Sequence, residues 1–77
     1  MTLEQFQASL SSLAVGGTEL LNQAQFRSVF ASAGSEEEAK QHAILVAEEN
    51  RCGVRFLGLE ECYAVFTKKQ SVRRIAI

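Results

Sequence analysis

The chain has no proline and no aspartate, one histidine, one methionine and two cysteines in 77 residues. Each shortage excludes something. Without proline, no ring clash or missing N–H interrupts a helix interior, which suits a helical protein. Without aspartate, a Ser-His-Asp triad cannot be assembled. Glu60 and Glu61 are adjacent carboxylates in a segment that reads as helix, where sequence neighbours point apart, a poor arrangement for paired acid–base work. Gly16 and Gly17 read as a turn and not as a phosphate-cradling loop. No catalytic residue and no enzymatic activity is expected.

The cysteines carry little more. Cys52 and Cys62 lie ten residues apart, which is neither a disulfide framework nor zinc-finger spacing. Cys62 falls at an apolar helical position and reads as a small core residue, whereas Cys52 falls in an expected loop and reads as exposed. His42 stands alone and is assigned to a helix surface or boundary, so no metal site is expected.

Net charge is −1, which gives no electrostatic footprint for nucleic acid. The apolar runs are far shorter than a membrane span. A hydrophobic content of 47% is nevertheless enough for a real core. One domain over residues 1–70 is expected, with residues 71–77 as a tail or the start of a linker. No signal-peptide pattern is present, and a reducing cytoplasm is the expected compartment. Glu36, Glu37 and Glu38 cluster at an expected helix N-terminus, while Lys68, Lys69, Arg73 and Arg74 make the end of the chain basic. Both groups complement helix dipoles.

Periodicity and caps give four expected helices. Leu3, Phe6, Leu10 and Leu13 recur at steps of three and four, and Gly16-Gly17 ends that stripe. Leu20 and Leu21 form a short strand-like run. Asn22 with Gln25 is a capping box for a second helix carrying Phe26, Val29, Phe30 and Ala33, which Gly34 ends. Ser35 with Glu38 opens a third helix over residues 39–48, which Asn50 and Gly53 interrupt. Phe56 and Leu57 form a second apolar run. Gly58 then caps a fourth helix whose Leu59, Cys62, Val65 and Phe66 fall at helical steps. The layout repeats after about 36 residues, from Phe26 to Cys62, as paired supersecondary units do.

This layout resembles one lobe of the calmodulin superfamily. Phe6, Leu10 and Leu13 stand where an entering EF-hand helix carries its core residues, Leu21 at the pairing position of the loop, Gln25 and Phe26 at the loop's close, and Gly34 at the end of the exiting helix. Leu57, Glu61, Cys62, Val65 and Phe66 match the loop and exiting helix of a second unit. The resemblance implies an all-α, four-helix EF-hand pair with a short two-stranded contact between its loops at Leu21 and Leu57. Calcium needs oxygen ligands at six loop positions and a turning glycine. The first loop offers Ala14, Gly16, Thr18, Asn22 and Gln25, with Glu19 at the turn; the second offers Asn50, Cys52, Val54, Gly58 and Glu61, with Arg55 at the turn. Calcium is not expected, and no other cofactor is implied.

The implied function is a calcium-independent helix-binding module, similar to a myosin light chain. Its partner would be a basic amphipathic helix such as an IQ motif of an unconventional myosin heavy chain. The expected groove comprises Leu10, Leu13, Phe26, Val29, Phe30, Val65 and Phe66. The expected acidic rim comprises Glu36, Glu37, Glu38, Glu60 and Glu61. One methionine, where calcium-sensing lobes are methionine-rich, points to a dedicated partner. The alternative is a structural or self-associating lobe of a larger cytoskeletal protein. Both place the chain in the cytoplasm, in association with the cytoskeleton.

Overall fold

A computed structural model describes residues 1–69, which form three helices and a three-stranded antiparallel sheet. The elements run α1 (Leu3–Ser12), β1 (Thr18–Leu21), α2 (Gln23–Val29), α3 (Glu36–Glu49), β2 (Cys52–Phe56) and β3 (Ala64–Lys68). The all-α, four-helix EF-hand pair is thereby corrected to an α+β fold. The expected tail, residues 71–77, lies outside the described residues, as does residue 70.

Local chemistry sets the first half. Thr2 accepts from the Gln5 amide while Gln5 reaches back to the Thr2 amide, a reciprocal cap that opens α1. Gly16, at φ +86°, turns the chain at little steric cost into β1. Asn22 and Gln25 form the expected box on α2, with bonds of 2.7 and 3.0 Å. Ser35 caps α3 by accepting from the Glu38 amide at 3.2 Å. The Glu38 carboxylate does not return the bond to Ser35; it accepts from the Gly34 amide at 2.8 Å instead. Three acidic residues then sit in the first turn of α3, where the dipole favours them.

Sheet order is β1-β3-β2, so the last strand in sequence is the central one. Ala64 of β3 stands opposite Leu21 on one side and Phe56 on the other. The expected direct contact between Leu21 and Leu57 is corrected accordingly. β3 inserts between the two apolar runs, and Leu57 lies beyond β2 in the hairpin loop, 45% exposed. That loop, residues 57–63, is closed by Leu57 N–H donating to the Tyr63 carbonyl at 2.9 Å. Gly58 supplies its left-handed turn at φ +74°.

The expected fourth helix is therefore a loop and a strand. Its residues alternate: Ala64 and Phe66 are buried, Val65 and Thr67 half-buried on the opposite face. One core receives every element: Phe6 and Leu10 of α1, Leu21 of β1, Phe26 and Val29 of α2, Ala43 and Val46 of α3, Cys52 of β2, and Ala64 and Phe66 of β3. Phe6 meets Phe66 edge-on at 4.8 Å between ring centres and Phe30 at 6.2 Å. The small residues Ala39, Ala43 and Ala47 on α3 let that helix lie close to β2. Among the described residues, no helix is long and apolar enough to cross a membrane.

Candidate functional site

The expected groove residues are mostly interior. Leu10, Phe26, Val29, Phe30 and Phe66 are buried in the core, Leu13 packs against its edge, and Val65 lies on the outer sheet face between Leu20 and Arg55. The two cysteines exchange the environments expected of them. Cys52 is buried on β2, where desolvation raises its thiol pKa against the opposing pull of Lys68 and Lys69; Cys62 is half-buried in the hairpin loop. His42 lies half-buried on α3, its ring 5.3 Å from that of Phe30.

Two of the expected groove residues do open onto a cavity. Where the chain crosses from α2 to α3, Phe26, Phe30, Ala33, Ala39 and Tyr63 enclose a cleft of about 200 Å³, with Arg27 and Glu36 at its margin. Sequence position explains its assembly. α2 is only seven residues long and presents Phe26 and Phe30 one turn apart, while the link to α3 turns back at Gly34. The hairpin loop then delivers Tyr63 from the far side, held by its amide donating to the Leu21 carbonyl at 2.9 Å. The rings pack as a cluster: Phe26 lies 4.9 Å from Tyr63, 5.0 Å from Phe30 and 5.9 Å from Phe56.

One polar bond crosses this apolar wall. The Tyr63 hydroxyl donates to Glu36 Oε2, tying the end of the hairpin loop to the first turn of α3. Lys40, one turn further along α3, sets its ammonium 5.6 Å from the Phe56 ring centre and 6.0 Å from that of Tyr63. Tyr63 was not among the residues singled out from sequence. The available signal was its amphipathic chemistry, because a buried phenol needs a partner for its oxygen. Nothing in the sequence shows that Glu36 is that partner.

The bond also has a pH signature. The hydrogen bond to Glu36, then burial, then the Glu36 charge push the Tyr63 phenol above its ordinary value near 10, with Arg27 pulling the other way. A raised phenol pKa means that the unfolded chain loses its proton first. This contribution to stability is therefore complete below about pH 10 and is lost as pH rises through the folded-state value. Unfolding followed across alkaline pH should show that decline in the wild-type chain and a shallower one in Tyr63→Phe. Identical slopes would mean that the bond does not form in solution.

Of the expected acidic rim, Glu36 borders the cleft directly, and Glu37 follows it in a shallower depression shared with Lys40. Glu60 and Glu61 sit in the hairpin loop and not on a helix, facing Asn22, Gln23 and Arg27 across a third depression. Glu38 bonds Gly34 and belongs to the cap of α3. Fold and cleft together define a small α+β domain with an aromatic-floored notch between two helices. Comparison with known proteins found no matching family model, no matching curated protein and no matching solved structure.

Proposed function

We propose that the chain is a non-catalytic protein-binding module that takes a bulky apolar side chain of a partner polypeptide into the notch between α2 and α3. The observation that carries this reading is the notch itself, an aromatic floor of Phe26, Phe30 and Tyr63 opening at the surface. Small-molecule sites usually run from about 300 to 1,000 Å³, and this one is smaller. Its size suits one anchor residue of an interface, the kind of buried contact that dominates protein recognition. Its floor is apolar, and its one phenol already donates to the Glu36 carboxylate at its margin, which favours a binding role.

This keeps the protein-binding part of the light-chain expectation and drops its geometry. A groove that grips a long helix between four helices requires a fourth helix, and that segment is β3. IQ motifs and myosin heavy chains are therefore not proposed as partners. The test fills the notch. Ala33 lines it and is half-buried, so Ala33→Trp should place an indole in the space while leaving the core intact. Titration of the chain with a short peptide bearing a central Phe should move NMR signals of Phe26, Phe30 and Tyr63. In Ala33→Trp the affinity should fall at least roughly tenfold with circular dichroism unchanged. A peptide that perturbs only residues remote from the notch would sink the reading.

A further inference from the structure

The notch does not end at its apolar walls. Two further depressions adjoin it through shared lining residues: Gln23 and Arg27 belong both to the notch and to the depression beside Glu60 and Glu61, and Glu36 belongs both to the notch and to the depression beside Glu37 and Lys40, while the two outer depressions share none. They form one trough with an apolar centre and a carboxylate pair at each end. The trough holds four carboxylates (Glu36, Glu37, Glu60, Glu61) against two cations, Arg27 and Lys40. Lys40 is turned toward the Phe56 and Tyr63 rings, and its single charge against Glu36 and Glu37 leaves that end negative. Arg27 stands between the notch and Glu60 and Glu61, so it tempers that end without reversing its sign.

From this geometry we infer that the trough selects a partner segment in which the apolar anchor is flanked on both sides by basic residues. The inference rests on the protein-binding reading above and adds the chemistry of the occupant. The carboxylate pairs at the two ends are supplied by separate elements, the first turn of α3 and the β2–β3 hairpin loop. A strand or helix laid along the trough therefore meets like charge before and after its anchor. Cationic flanks relieve that repulsion, and anionic flanks add to it. Charges arranged in this way act mainly on partner choice and association rate, and salt weakens them.

Three peptide probes separate the possibilities when titrated against the full chain. The first has a central Phe flanked by Lys on both sides, the second replaces each Lys with Glu, and the third keeps the Lys residues but replaces Phe with Ala. The Lys-flanked Phe peptide should bind roughly tenfold more tightly than the Glu-flanked one at low salt, with the gap closing at high ionic strength. Glu60→Gln with Glu61→Gln should remove much of that preference. Glu48→Gln with Glu49→Gln, an equal change of charge in the last turn of α3, should not.

The failures are distinguishable. Equal affinity for the Lys- and Glu-flanked Phe peptides overturns the basic-flank inference and leaves the anchor notch standing. A Lys-flanked Ala peptide that binds as well as its Phe counterpart overturns the anchor notch and leaves only a charged surface. No binding by either Phe peptide overturns both. Concentration-dependent sedimentation of the chain alone, lost in the Glu60→Gln, Glu61→Gln variant, would assign the trough to a second copy and overturn the basic partner segment.

Discussion

Phe66→Ala is expected to remove most of the stability of this domain. Phe66 has no exposed surface, sits on the central strand and meets Phe6 of α1 edge-on at 4.8 Å. Truncating a buried Phe costs about 3–5 kcal/mol, through lost transfer energy and the cavity left behind. A domain of this size stands near the lower end of the usual range of about 5–15 kcal/mol, because small domains bury a smaller share of their surface. The melting temperature should fall by on the order of 20 °C, and the urea midpoint should move in proportion. Relaxation of the surrounding rings offers little relief, since Phe6 also contacts Phe30, and Phe30 contacts Phe26. A loss below about 1 kcal/mol would mean that Phe66 does not lie where three elements converge.

Legibility in the sequence divides near Glu49. Up to that point, the start of each element announces itself locally, although α2 stops at Val29 and not at Gly34, where its apolar stripe is expected to end. The α1 stripe, the Leu20-Leu21 run, the Asn22–Gln25 box and Ser35 all appear where the sequence places them. Caps and glycine turns act over three or four residues, so no distant partner is needed to recognise them. Beyond Glu49 the segments are too short for periodicity to arbitrate. Leu59, Cys62, Val65 and Phe66 fit helical steps, yet five residues, Ala64–Lys68, fit a strand equally well. What decides is tertiary. β3 pairs with both β1 and β2 along their length, whereas a fourth helix would leave the two runs only a short contact with each other. The composition from Tyr63 to Thr67, rich in aromatic and β-branched residues, already leaned toward strand.

The candidate site was half legible for a related reason. Phe26 and Phe30 stand out as one apolar stripe, and they do line the notch. Its third wall comes from Tyr63, far along the chain, and depends on the hairpin that periodicity misassigns. The acidic residues followed the same division. Glu36 and Glu37 are legible as the first turn of a capped helix, whereas Glu60 and Glu61 reach the trough only because residues 57–63 form a loop.

Two charge substitutions in adjacent positions decide between strand and helix at β3. Ala64→Glu should prevent folding. The site has no exposed surface, lies between Leu21 and Phe56, and holds only a methyl group. A carboxylate there would be buried without a partner and would also overfill the space. Breaking or burying a charge without compensation typically costs about 3–5 kcal/mol, and overpacking adds about 1–3. Val65→Glu should be tolerated to within about 1 kcal/mol. Val65 is half-buried on the outer face, directly opposite Arg55 on β2, so the new carboxylate gains a cross-strand cation. The helical alternative predicts the reverse order, because it places Val65 on the apolar stripe with Leu59, Cys62 and Phe66 and leaves Ala64 off it. Chemical denaturation of the two variants reads the difference directly. A folded Ala64→Glu beside an unfolded Val65→Glu would dissolve the central strand, and with it the loop that carries Tyr63 to the notch.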